Sequence, residues 1–190
     1  NFKKKNLEAI LTREPGGTRS AESIRNLLLK DYFNKGKKEK FDKYTDTLLY
    51  LAARNEHITN KINPALKNNK IVICDRFTDS TFAYQVEGIN INNKLNNINH
   101  KYILNGVKPD LTIVLKSNFK SIFKRLKKRK NKNKYDKLKI AFYTKVQNAY
   151  IKKAKKNKSK YVVFNSSQNT NDLQKKIIKL VFKRIKYDRW

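Results

Sequence analysis

Four short apolar runs, at about 7–12, 71–75, 111–115 and 161–164, punctuate this chain, and longer stretches of helical period fill the intervals between them. That alternation is the pattern of a parallel α/β sheet, because parallel neighbours need a crossover connection, usually a helix, to return the chain. The runs are rich in Leu, Ile and Val, as strands covered on both faces should be. Helices are expected over about 19–30, 42–68, 78–86, 93–104, 119–130, 137–156 and 171–185, with Pro64 marking a kink or a break in the second. No internal repeat and no Pro/Gly linker divides the 190 residues, so they read as one domain with a sizeable core.

The formal net charge of +31 would by itself suggest nucleic acid or an anionic surface as partner. The excess is mostly Lys, however, and it travels with Asn and Ile scattered over the whole length, which reads as coding bias toward AT-rich codons. A basic face built for DNA should be clustered, and one segment alone is: KRLKKRKNKNKYDK, residues 124–137. Such a run reads either as a solvated helix face or as a mobile arm that closes over polyphosphate. NINNKLNNINH, residues 90–100, reads as a polar loop and helix start. The single cysteine, Cys74, fits a reducing cytosol and sits in an apolar run, so it is expected to be a buried thiol rather than a nucleophile. No stretch approaches the ~20 apolar residues of a membrane span, and no signal-peptide pattern opens the sequence. The absence of methionine and the mid-pattern opening at Asn1 lead to the expectation that further residues precede it.

Ligands of open α/β sheets bind beyond the C-terminal ends of the strands, so the residues after each apolar run carry the most weight. Arg13 and Glu14 follow the first run, and Asp75, Arg76 and Phe77 the second. Two strand ends that each deliver a guanidinium beside a carboxylate suit phosphate and metal; the same pairs read equally as local ion pairs closing the sheet edge. In TREPGGT, residues 12–18, Gly16 and Gly17 would let backbone approach a ligand closely ahead of a helix N-terminus. Tyr50 and Arg54 are four apart, so they share a helix face on which an aromatic ring could stack on a base while the Arg bonds its carbonyl edge. Ser80, Thr81, Tyr84 and Gln85 gather hydroxyls and an amide within two turns of Arg76. His57 and His100 have no partners at metal-ligand spacing, which points to surface or capping roles rather than zinc. No Gly-x-x-x-x-Gly-Lys-Ser/Thr phosphate loop occurs in the sequence.

Taken in order, TREPGGT with AESIRNLLL, LLYLAAR (48–54), DRFTDSTFAYQ (75–85) and KPDLTIVL (108–115) resemble the thymidylate kinase family nearly end to end. The resemblance implies the α/β fold of the P-loop nucleoside monophosphate kinases, a parallel sheet flanked by helices, and phosphoryl transfer from ATP to dTMP giving dTDP. It also implies that a strand, P-loop and helix, on the order of 30 residues, belong before TREPGGT as the sheet's first, central strand and are absent here. These residues alone would then be inactive. Carried onto matching positions, it makes Arg13, Asp75 and Arg76 the catalytic set. Arg13 would clamp the dTMP phosphate, Arg76 would bridge that phosphate to the transferring one, and Asp75 would hold Mg²⁺ through water. Glu14, Tyr50, Arg54, Ser80, Thr81, Tyr84 and Gln85 would line the dTMP site, with Tyr50 stacked on thymine and Arg54 on a thymine carbonyl. The run at 124–137 would be the lid, with Arg125 and Arg129 reaching ATP. A homodimer in the cytoplasm, with no specific nucleic acid and no membrane partner, is implied as well. Lys116, Asn165 and Lys137 depart from the residues usual at those family positions. Another P-loop nucleotide kinase and a basic nucleic-acid-binding protein are the alternative readings.

Overall fold

All four apolar runs form strands in the computed structural model, which describes residues 2, 6–29, 41–128, 130, 133–167 and 169–188. They are β1 (Ala9–Arg13), β2 (Ile71–Asp75), β3 (Thr112–Lys116) and β4 (Tyr161–Asn165). The chain divides into two compact units, Asn1–Val107 with Asn133–Tyr135, and Lys108–Lys132 with Asp136–Trp190.

In the first unit β1 and β2 pair in parallel, with Leu11 opposite Ile73 and Arg13 opposite Asp75. Helix α1 (Arg19–Leu29) begins where the Thr18 hydroxyl accepts a hydrogen bond from the Ala21 N–H at 3.2 Å, the cap that satisfies an otherwise orphaned donor. It packs against α2 (Lys43–His57), which Asp42 caps by accepting from the Tyr44 N–H at 2.8 Å. The helical stretch expected over 42–68, with a kink or a break at Pro64, is α2, then a π-helical turn, Ile58–Ile62, and then α3 (Asn63–Lys67), whose first turn holds Pro64. Pro64 has no N–H to give, and just before it the Asn63 N–H reaches back five residues to the Ile58 carbonyl. The expected break between two helices thus takes the form of a widened turn. Two further helices also relax into π turns, α4 (Thr78–Thr81) before Phe82–Gly88 and α5 (Asn93–Ile98) before Asn99–Ile103.

The core of this unit is Ile58, Ile62 and Leu104, surrounded by Val72, Phe77, Ile103 and Val107. The widened turn after α2 thus supplies two of the three central side chains. Against expectation, the strands are not covered on both faces: Leu11 is 75% exposed and its partner Ile73 is 37% exposed, because nothing among the described residues closes over that side.

In the second unit β3 and β4 pair in parallel, with Val114 opposite Val163. Helix α6 (Phe119–Lys128) follows β3, and α7 (Ile140–Lys156) packs on both strands before α8 (Thr170–Asp188) closes the chain. The expected helix at 137–156 starts three residues late because Lys134–Lys137 winds into a 3₁₀ turn. The Ser166 N–H and hydroxyl both donate to the Lys116 carbonyl, at 2.8 and 3.0 Å, tying the two strand ends together.

Truncating Ile62 to Ala should cost ~2–5 kcal/mol through lost burial and the cavity left behind. Urea denaturation checks this, and a loss under ~1 kcal/mol would mean that the cluster is not the unit's core.

Candidate active site

Alternation along a strand sends successive side chains to opposite faces, and at the end of β1 it separates Arg13 from Glu14. The ladder continues one step past the strand, since the Glu14 N–H donates to the Asp75 carbonyl at 2.9 Å. Arg13 is half-exposed, whereas Glu14 is buried and turned toward α2. There Arg54 and His57, three apart and so on one helix face, meet the same carboxylate. Arg54 Nε donates to Glu14 Oε2 at 2.8 Å and Nη2 pairs with it at 2.7 Å, while Nδ1 of His57 lies 3.3 Å from Oε1. Nε2 of the same imidazole is 2.6 Å from the Thr12 hydroxyl. Arg54 Nη2 also donates to the Phe77 carbonyl at 3.2 Å, and the guanidinium lies 5.6 Å from the Phe77 ring centre. Arg54 Nη1 is buried with no partner among the described residues.

The expected local pair Arg13–Glu14 is replaced by two crossed pairs. Arg13 Nη2 donates to both carboxylate oxygens of Glu22 at 3.1 Å. The Gly17 N–H adds a bond to Glu22 Oε1 at 3.0 Å, and Arg25 Nε lies 3.9 Å from Oε2. Burial pushes the Glu22 carboxyl up, but the Gly17 N–H and the Arg13 guanidinium outweigh it and hold the group below its usual range. The glycines of this turn have left-handed φ of 127° and 95°. What approaches them is protein rather than the expected ligand: a Cβ at Gly16 would stand 2.3 Å from Glu22 Oε1, and one at Gly17 2.6 Å from the His57 ring.

At the end of β2, Asp75 is exposed and Arg76 holds a left-handed φ of 65°, a strained backbone for a residue with a side chain. The Cys74 thiol donates to the Arg76 carbonyl at 3.0 Å. Burial, then the Glu14 and Asp75 carboxylates, push that thiol up to about 12, and it is half-buried rather than enclosed as expected. Arg76 Nη2 donates to the Tyr84 hydroxyl at 3.1 Å, and its guanidinium lies 4.7 Å from the Tyr84 ring centre. Thr81 and Gln85 are buried and Ser80 partly so. The Gln85 amide donates to the Tyr135 hydroxyl at 3.0 Å. Tyr135 stands edge-on to Tyr84 with ring centres 5.4 Å apart and shares a hydrogen bond with Tyr50. Burial pushes both the Tyr50 and the Tyr135 phenol above the usual tyrosine range.

Within the first unit, Tyr135 thus links Tyr50, Tyr84 and Gln85, and Tyr84 links on to Arg76, while Arg54 lies one turn from Tyr50 on α2 and Thr81 is buried one turn before Gln85. Two further participants were missed. Tyr135 could have been noticed as the lone aromatic of a polar, cationic run. His57, expected at the surface or at a cap, is wholly buried; its carboxylate partner lies 43 residues away in sequence, which local spacing does not show. Arg129 and the side chains of Arg125 and His100 lie outside the described residues, so the expectations placed on them have no structural counterpart. Among the described residues no group of three or more His, Cys, Asp or Glu could hold a metal ion, and no helix is long and apolar enough to cross a membrane.

Guanidinium groups and carboxylates gathered at the C-terminal ends of parallel strands, beside partly buried tyrosines, suit a phosphate-handling protein of the α/β class. The model of the family described as thymidylate kinase matches residues 1–177. A thymidylate kinase of Mycoplasma capricolum is 34% identical, over 95% of this chain and 84% of its own. One from a Geobacillus species is 37% identical, over 90% and 80%. The crystal structure of thymidylate kinase from Ehrlichia chaffeensis superposes with a TM-score of 0.68 at 32% identity, covering 92% of this chain and 80% of that one. The chain belongs to the thymidylate kinase family, and its parallel sheets flanked by helices are those of the P-loop nucleoside monophosphate kinase fold.

Replacing Glu14 by Ala would leave the Arg54 charge buried and unpaired, at an expected cost of ~3–5 kcal/mol in urea unfolding. A cost under ~1 kcal/mol would mean that Arg54 reaches water and that the buried pair is not a structural element.

Proposed function

We propose that these residues form the acceptor side of an enzyme that transfers phosphate from ATP to dTMP, giving dTDP for DNA precursor synthesis. The observation that carries the reading is the orphaned Nη1 of Arg54. Glu14 and the Phe77 carbonyl engage Nε and Nη2 of its guanidinium, leaving one buried donor that costs ~1–3 kcal/mol unless something accepts from it. A thymine carbonyl supplies that acceptor, and Tyr50, one turn away on the same face, supplies a ring for the base to stack on. Thr81 and Tyr84 read the pyrimidine edge and crowd the sugar 2′ position, with Gln85 and Ser80 nearby. Tyr135 braces this group through Gln85, Tyr84 and Tyr50. Glu14 serves by holding Arg54 rather than by touching the nucleotide.

Arg13 and Arg76 take the acceptor phosphate. Phosphoryl transfer is mostly positioning and charge stabilisation, in which one well-placed arginine is worth about 10³–10⁵ in rate. The strained φ of Arg76 fits such a role, since strain of this kind persists where surrounding structure enforces it. Asp75, a lone exposed carboxylate at the end of β2, suits Mg²⁺, which keeps most of its water shell and needs few protein ligands. When bound, that ion neutralises charge on the polyphosphate. Arg125 and Arg129 are assigned to ATP within a lid at 124–137. The sequence contains no Gly-x-x-x-x-Gly-Lys-Ser/Thr motif, so an ATP phosphate cradle of that kind is not assigned to residues 1–190, and by themselves they should bind dTMP without turning ATP over. A homodimer in the cytoplasm goes with this reading, supported by the family resemblance and by the single cysteine.

Calorimetric titration with dTMP, dUMP, CMP and AMP should rank dTMP first, and Arg54→Lys should weaken dTMP about 10- to 100-fold through loss of a charge-assisted hydrogen bond. Preference for a purine nucleotide, or an unchanged affinity in Arg54→Lys, overturns the assignment.

A further inference from the structure

The imidazole of His57 is fully buried, engages a partner through each ring nitrogen, and touches no group to which the reaction assigns a role at substrate. Two placements explain what it does. It sits three residues after Arg54 on α2, so both side chains reach one carboxylate, that of Glu14, from one helix face. It also lies against the turn that carries Glu14, with its ring where a side chain of Gly17 would be and its Nε2 on Thr12 at 2.6 Å.

Arg54 alone does not fix Glu14. It binds one oxygen, Oε2, and the terminal torsion of a glutamate is broad enough for the other oxygen to swing. A carboxylate only accepts, so the His57 nitrogen that faces Oε1 carries a hydrogen, and the Thr12 hydroxyl satisfies the opposite nitrogen. That second bond prevents the ring from turning its Nδ1 away. The carboxylate plane is thereby held at both oxygens, and the guanidinium fork that meets it is held in turn, with Nη1 as the donor left over.

We propose that His57 is a positioning residue of the acceptor site: by bridging Thr12 and Glu14 it fixes the direction of Arg54 Nη1 and so sets the preference for a nucleotide base that offers a carbonyl there. The inference rests on the proposed function, in which Arg54 meets the base. Misplacing a group of this kind by about 1 Å can cost on the order of 100-fold. The loss should fall on recognition of the base and spare recognition of the phosphate, which is assigned to Arg13 and Arg76.

The test compares affinity for dTMP, by calorimetry, with affinity for 2-deoxyribose 5-phosphate, by NMR shift titration, in the 190-residue chain. His57→Phe, which keeps a ring but neither hydrogen bond, should lower the ratio of the two affinities at least tenfold while the sugar phosphate binds as before. His57→Asn can keep a donor near the place of Nδ1 and should retain most of the ratio, whereas His57→Gln, whose amide lies beyond that place, should not. An unchanged ratio in a folded His57→Phe, or equal ratios for Asn and Gln, overturns the proposal; if the Phe variant does not fold, the Asn and Gln comparison decides. A wild-type chain that binds dTMP no better than the sugar phosphate, or one in which Arg54→Lys leaves dTMP affinity unchanged, defeats the underlying reading instead.

Discussion

The carboxylate of Glu14 joins the end of β1 to helix α2 through a buried pair with Arg54 and a bond to His57. Three chain segments depend on it, because Arg54 goes on to the Phe77 carbonyl after β2 and His57 goes back to Thr12. A buried ion pair is weak as a source of net stability, since desolvating two charges cancels most of their attraction. What it supplies is direction: a guanidinium held on two nitrogens can point its remaining one in a single way. Leaving that nitrogen unpaired costs the free protein stability and rewards any ligand that completes it.

The neighbouring charges follow a different logic. Arg13 is half-exposed and held by Glu22, so its guanidinium is oriented by a pair that water screens enough to exchange. Arg76 is fixed by its own backbone, by the Cys74 thiol on its carbonyl and by the Tyr84 ring and hydroxyl beneath its guanidinium. The first unit thus presents two arginines at the ends of paired strands, one preset by a carboxylate and one by an aromatic ring. Under the proposed function, both approaches would reduce the ordering that binding otherwise has to supply.

Most of this was legible in the sequence where the signal is local. Strands of a parallel sheet are continuous apolar runs, and all four were found within a residue or two at their ends. Tyr50 with Arg54, and Arg76 with Tyr84, were legible because helix and turn geometry fixes neighbours three to eight residues apart. What failed was non-local. His57 looked unpartnered because Glu14 comes from another element, and the glycines of the turn looked like ligand contacts because Glu22 and His57 fill the space they open. The three π turns have no periodic signature that separates them from an α-helix, so Pro64 signalled a kink or a break but not the widened turn that forms there. Tyr135 was hidden by the charge of the run that carries it.

The central claim, that Arg54 is held by Glu14 so as to offer one buried donor to a pyrimidine, is tested most directly by a crystal structure of the chain with dTMP bound. The account expects a thymine carbonyl within hydrogen-bond distance of Arg54 Nη1, with the Glu14–Arg54 pair and the His57 bridge intact. A base bound elsewhere, or an Arg54 that leaves Glu14 to reach the base, would contradict it.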